Sequence, residues 1–139
     1  VEQKLSDDWK MTMCSCFNTF PQGSMEDNFN NVKDLKAAGV DILVGTDVSV
    51  PMPHLGGLAH GVSVHHEMQL LVEAGLRPID ALRSATSITS KRFNLSDRGV
   101  IAEGMRADLL LVKGDPTKNI SDSLSIVDIW KEGESYHNL

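Results

Sequence analysis

Between Val40 and Glu67 the chain gathers most of the side chains that could do chemistry: Asp47, His54, His60 and the run His65-His66-Glu67. Asp47 closes the stretch Ile42-Leu43-Val44-Gly45-Thr46-Asp47. A short, continuous, β-branched-rich apolar run reads as a strand buried on both faces, as in parallel sheets. Asp47 is then a carboxylate at the carboxyl end of such a strand, the end at which barrels and open α/β sheets carry their sites. A carboxylate placed there can bind a hard cation or take a proton from water. Its plain alternative is a turn residue at the strand end or a helix cap.

The histidines divide by context. His60, in Ala59-His60-Gly61-Val62, lies in a loop rich in proline and glycine. It could contact a substrate carboxylate or carbonyl, or hydrogen-bond the loop backbone. His54 follows Pro53 in the same loop and reads as a solvated side chain. The run His65-His66-Glu67 invites a metal reading, but position 70 is Leu70, so the zincin pattern HExxH is not present. At a helix start these three residues are expected to be exposed or involved in capping. Arg106 and Asp108 are expected to form a structural pair or a turn contact.

The elements that must position these residues follow from the punctuation. Ser24 reads as an N-cap with Asp27 as its capping-box partner. Phe29, Val32 and Leu35 share one helical face, and Gly39 ends that helix. The strand Val40–Gly45 follows at once, giving half of a βαβ unit. After the loop, Ser63 is expected to cap a second helix with Val64, Met68 and Leu71 inward and Gly75 as its stop. Pro78 suits the first turn of a third helix, since the missing N–H costs nothing there. Ile79, Leu82, Ala85 and Thr86 are its expected buried face. From Gly99 short apolar runs alternate with glycine turns: Val100-Ile101, Leu109–Val112 and Ile126–Trp130. This is a small β section, with Leu109–Val112 and Ile126–Trp130 expected as strands of one layer. Few short strands make a stable sheet unaided.

The 139 residues suffice for one ordinary domain. Net charge is −6, which argues against nucleic acid or an anionic membrane held by general charge. No apolar run is long enough to span a bilayer, and no signal-peptide pattern opens the chain. The chain starts at Val1 rather than Met, so a processed start or a piece of a longer chain is expected. Cys14 and Cys16, one residue apart, cannot form a four-ligand zinc site alone and read as free thiols of a reducing compartment.

Taken in order, the strand ending in Gly45-Thr46-Asp47, the loop ending in His60-Gly61, HHEMQLLVEAGL, RPIDALRSAT, GVIAEGMRADLLLVKGDP and IVDIWKEGESY resemble the carboxyl-terminal third of an amidohydrolase-superfamily enzyme. The likeness covers residues 24–136 and is strongest toward the imidazolonepropionase-like branch, with its prolidase-type and ochratoxin-type amidases. GVIAEGMRADLLLVKGDP is its most specific part.

The resemblance implies an α/β fold: the C-terminal portion of a (β/α)8 barrel over residues 1–98 and part of a small β-sandwich over 99–139. The strand before Asp47 would be the eighth of the barrel. Asp47 would be a metal ligand and the proton acceptor for the attacking water, with His60 on the substrate. The remaining family ligands lie on earlier strands: a His-x-His pair, a carboxylated lysine or glutamate, and two single histidines. None of those motifs occurs here. The family also favours a small capping residue where this chain has Arg77. The resemblance further implies a divalent metal, zinc by preference, as one or two ions in the intact enzyme. The implied partner is a small amide or dipeptide-like molecule, and there is room for a homo-oligomer of the intact enzyme in the cytoplasm. A catalytic zinc needs about three protein ligands, so this chain alone is expected to be inactive. The rival expectations are a truncated, non-catalytic paralogue and a helper subunit completing a separately encoded barrel half.

Overall fold

The computed structural model describes residues 24–48 and 60–136. The readings of Cys14, Cys16 and His54 fall outside the described residues. Ser24 opens the first described helix, α1 (Met25–Ala37), through a reciprocal capping box. Ser24 Oγ accepts from the Asp27 amide at 3.1 Å, and an Asp27 carboxylate oxygen accepts from the Ser24 amide at 2.9 Å. Such a cap stabilises a helix by about 1 kcal/mol.

Three further α-helices follow among the described residues: α2 (Val62–Glu73), α3 (Pro78–Ala85) and α4 (Ser87–Arg92). Pro78 occupies the first turn of α3, as the sequence indicated. α2 ends in a Schellman closure. The Gly75 amide donates to the Val72 carbonyl at 2.9 Å, and the Leu76 amide donates to the Leu71 carbonyl at 3.0 Å. Gly75 has φ +100°, a conformation that glycine adopts without the clash a Cβ would bring. The closure turns the chain so that Leu76 and Ala81 meet Met68 and Leu71. These four, exposed by 5% or less, form the core with Ile120. Val32 of α1, Ile42, Val44, Leu82 and Ala85 pack against it.

The C-terminal part is a three-stranded antiparallel sheet in the order β1 (Leu109–Val112), β2 (Ile126–Lys131), β3 (Glu134–Ser135). Leu109 pairs with Trp130, and a bulge between Leu111 and Val112 shifts the register so that Val112 faces Ile126. Arg106, Asp108 and Glu132 clasp the hairpin. Arg106 lies 2.9 Å from Asp108 and 2.8 Å from Glu132, and the Glu132 amide donates to Asp108 at 2.9 Å. A five-residue 3-10 helix (Ile120–Leu124) joins β1 to β2 and plants Ile120 in the helical core.

Several expectations are corrected. α2 begins at Val62 behind Gly61, and Ser63 is buried inside the helix rather than capping it. The buried face of α3 is Asp80, Ala81 and Ser84, while Thr86 is exposed where the helix breaks. Polar residues can occupy that face because their groups are satisfied: Ser84 Oγ donates to the Asp80 carbonyl at 3.0 Å, and Asp80 is paired with Arg77. Leu35 is 47% exposed, so the inward face of α1 narrows to Phe29 and Val32. Val100 and Ile101 form no strand, and Ile101 is 89% exposed. Residues 40–45, expected as a barrel strand, pair with no strand among the described residues. A parallel ladder needs lateral neighbours, and the sheet described here is a separate antiparallel one.

Candidate active site

The segment leading to Asp47 is anchored behind its tip. Arg92, the last residue of α4, donates from Nε to Asp41 at 2.7 Å and pairs with the same carboxylate through its terminal nitrogen. The Val44 amide donates to the Ser84 carbonyl of α3 at 3.3 Å, so a helix carbonyl takes the place of a strand partner. Ile42 and Val44 rest on the core. Past Val44 the chain leaves this support, and Gly45 and Asp47 are exposed. Asp47 has φ +49°, in the left-handed region. Aspartate and asparagine visit that region more readily than other residues with a Cβ, because their short side chains can bond locally.

His60 is exposed and immediately precedes Gly61, the N-cap residue of α2. No hydrogen bond or ion pair joins it to Asp47 among the described residues. The adjacent histidines differ from the expectation of an exposed helix start. His65 is buried, at 8% exposure, and its Nδ1 lies 3.0 Å from Ser123 Oγ of the 3-10 helix. Burial pushes its imidazole below the usual histidine range, because the charged form loses hydration. The spacing was the available signal: His65 lies three residues before Met68, on the inward face of α2. Nδ1 of His66 lies 3.1 Å from Gln69 Oε1, and Gln69 Nε2 donates to Ser121 Oγ at 2.9 Å. Glu67 is half-buried, and desolvation raises its carboxyl above the usual range.

An exposed carboxylate on an anchored segment is suited to bind a cation or to accept a proton. Asp47 therefore fits the role of one metal ligand. His65 is engaged with Ser123 and is not free to serve as another. Among the described residues no group of three or more His, Cys, Asp or Glu side chains is placed to hold a metal ion. No described helix is long and apolar enough to cross a membrane.

The model of the amidohydrolase family matches residues 4–135. The chain belongs to the amidohydrolase family. The resemblance read from the GTD, HHEMQLLVEAGL and RADLLLVKGDP segments is thereby borne out. Over 90 residues the chain is 34% identical to the imidazolonepropionase of Cereibacter sphaeroides, covering 65% of this chain and 22% of that protein. Over 74 residues it is 32% identical to the adenine deaminase of Lysinibacillus sphaericus, covering 51% and 11%. It superposes on the crystal structure of a Xaa-Pro dipeptidase with bound methionine in the active site. The TM-score is 0.71 at 27% identity, covering 96% of this chain and 32% of that one. This amidohydrolase chain thus corresponds to a third or less of each of these proteins.

Proposed function

We propose that the chain is the Asp47-bearing, C-terminal part of a metal-dependent amidohydrolase that hydrolyses a carbon–nitrogen bond in a small amide or dipeptide-like substrate. The observation that carries this reading is the family match over residues 4–135, with Asp47 standing exposed at the end of its anchored segment. The relatives' names agree in kind: deaminase and dipeptidase both denote breaking a carbon–nitrogen bond. In the same reading residues 1–98 complete a (β/α)8 barrel and residues 99–139 contribute strands to a β-sandwich. The helices within 25–92 and the strands within 109–135 are compatible with that division.

Asp47 would be this chain's ligand to a divalent metal, zinc by preference. When bound, the metal makes a water more acidic and polarises the scissile carbonyl. Asp47 accepts the proton of the attacking water and passes it to the leaving nitrogen. His60 donates a hydrogen bond to a carboxylate or carbonyl of the substrate and fixes its orientation. One ligand is too few for a catalytic metal, so activity belongs to the intact enzyme and not to these residues alone.

The test is Asp47→Asn in the intact enzyme. An amide cannot accept the proton, and loss of a proton-transfer group costs roughly 10²–10⁴ in rate. Turnover should fall by that factor with the far-ultraviolet circular dichroism unchanged. Near-normal turnover with the metal retained would assign the proton to another group.

A further inference from the structure

The C-terminal strand section meets the helices through a small polar seam. The 3-10 helix is the joint: it packs against α2 and α3 on one side and against β1 on the other. Its apolar contribution is Ile120, 5% exposed. Its polar contributions are Ser123, 3% exposed and hydrogen-bonded to His65, and Ser121, bonded to Gln69. Of these bonds, the His65–Ser123 bond is the buried one, and it contains a group that titrates near neutrality.

We propose that the His65–Ser123 contact is a pH-sensitive latch, which holds the 3-10 helix and the sheet on the helical layer at neutral pH and loosens that docking in mild acid. The neutral imidazole can donate to or accept from Ser123 Oγ. An imidazolium at this site would carry a buried charge with no ion-paired carboxylate among the described residues. The elements packed against α2 are α1, α3 and the 3-10 helix. Their charged groups include Glu26, Asp27, Lys33, Asp34 and Lys36 on α1, Asp80 and Arg83 on α3, and Asp122 on the 3-10 helix. None of these forms an ion pair or hydrogen bond with the ring. Asp27 is engaged with Ser24, Asp80 with Arg77 and Arg83, and Asp122 with the Asp115 amide and Asn119 Nδ2. On α2 itself, His66 and Glu67 flank the ring in sequence.

The sign follows from linkage. Burial favours the neutral ring, so the undocked state binds the proton more readily than the docked one. Docking is at full strength above the undocked value of about 6.5 and weakens as pH falls below it.

The experiment is amide hydrogen exchange on the full chain at pH 7.5 and 5.5, with exposure times scaled for intrinsic exchange. Protection over residues 120–131 should fall by up to about tenfold at the lower pH, the ceiling for one group with an undocked value near 6.5. In His65→Gln, which keeps a hydrogen-bonding group without the titration, that change should vanish. His66→Gln should retain it. An equal response in wild type and His65→Gln would overturn the proposal. A second measurement needs no variant: the His65 ring resonances should titrate below the unperturbed histidine value, and titration at or above it would also overturn the latch.

Discussion

The helical layer and the C-terminal sheet obey different rules of self-sufficiency. In the helices the interior hydrogen bonds are made within one segment, and α2, α3 and the turn between them bury Met68, Leu71, Leu76 and Ala81 to 5% exposure or less. In the sheet the strands pair along their length apart from one bulge, yet Leu110, Leu111 and Val127 remain 47%, 48% and 62% exposed. Side chains alternate across a strand, so covering both faces requires two further layers from elsewhere. The described residues supply little of either. A helical hairpin can thus carry its own core over a short length of chain, whereas a sheet depends on what is laid against it.

The sharpest way to break this comparison is a truncation in each region. Leu71→Ala removes a side chain from the helical core and should cost about 2–5 kcal/mol, read as a lowered urea midpoint by circular dichroism. A change no larger than that of a surface residue would mean that the helical layer is not the stabilising part. Gly99→Ala tests the junction between the regions. Gly99 has φ +90°, and a Cβ there would overlap the Ser90 side chain of α4 and lie 3.0 Å from the Thr86 carbonyl. Strain of this kind costs about 1–3 kcal/mol, and Ser90→Gly in the same chain should restore part of it. The smallest effect is expected in the sheet. Val127→Thr keeps the branched shape on an open face and should change stability by less than about 0.5 kcal/mol. A cost comparable with that of Leu71→Ala would reveal cover on that face.

What could be read in the sequence was what depends on neighbours along the chain. Ser24 with Asp27, Pro78 at a first turn, and Gly39 and Gly75 as stops each act within a few residues, and each stands where it was expected. Leu109–Val112 and Ile126–Lys131 pair with one another because the apolar runs and the turns between them are local signals too. What escaped were polar groups satisfied by other polar groups: His65 is buried against Ser123, distant in sequence, and Asp80 and Ser84 are buried with local partners, Arg77 and the Asp80 carbonyl. Counting apolar residues alone passes over such a face. The 3-10 helix gave no periodic signal, although Asn119, whose side chain accepts from the Ser121 amide at 3.3 Å, is a turn-forming type. At the candidate site the position of Asp47 was legible as the end of an apolar run. Its left-handed backbone and the Arg92–Asp41 anchor were not.

The Gly75 turn between α2 and α3 also bears on the order of events during folding. It brings Leu71 and Leu76 into one cluster across a handful of residues, so closing that loop sacrifices little chain entropy. The sheet must wait for β1 and β2 to meet across the 3-10 helix, and Ile120 must first find a cluster to enter. The α2–α3 hairpin is therefore the natural nucleus. Substitutions within it should slow the folding step, whereas those in the strands should act mainly by hastening unfolding.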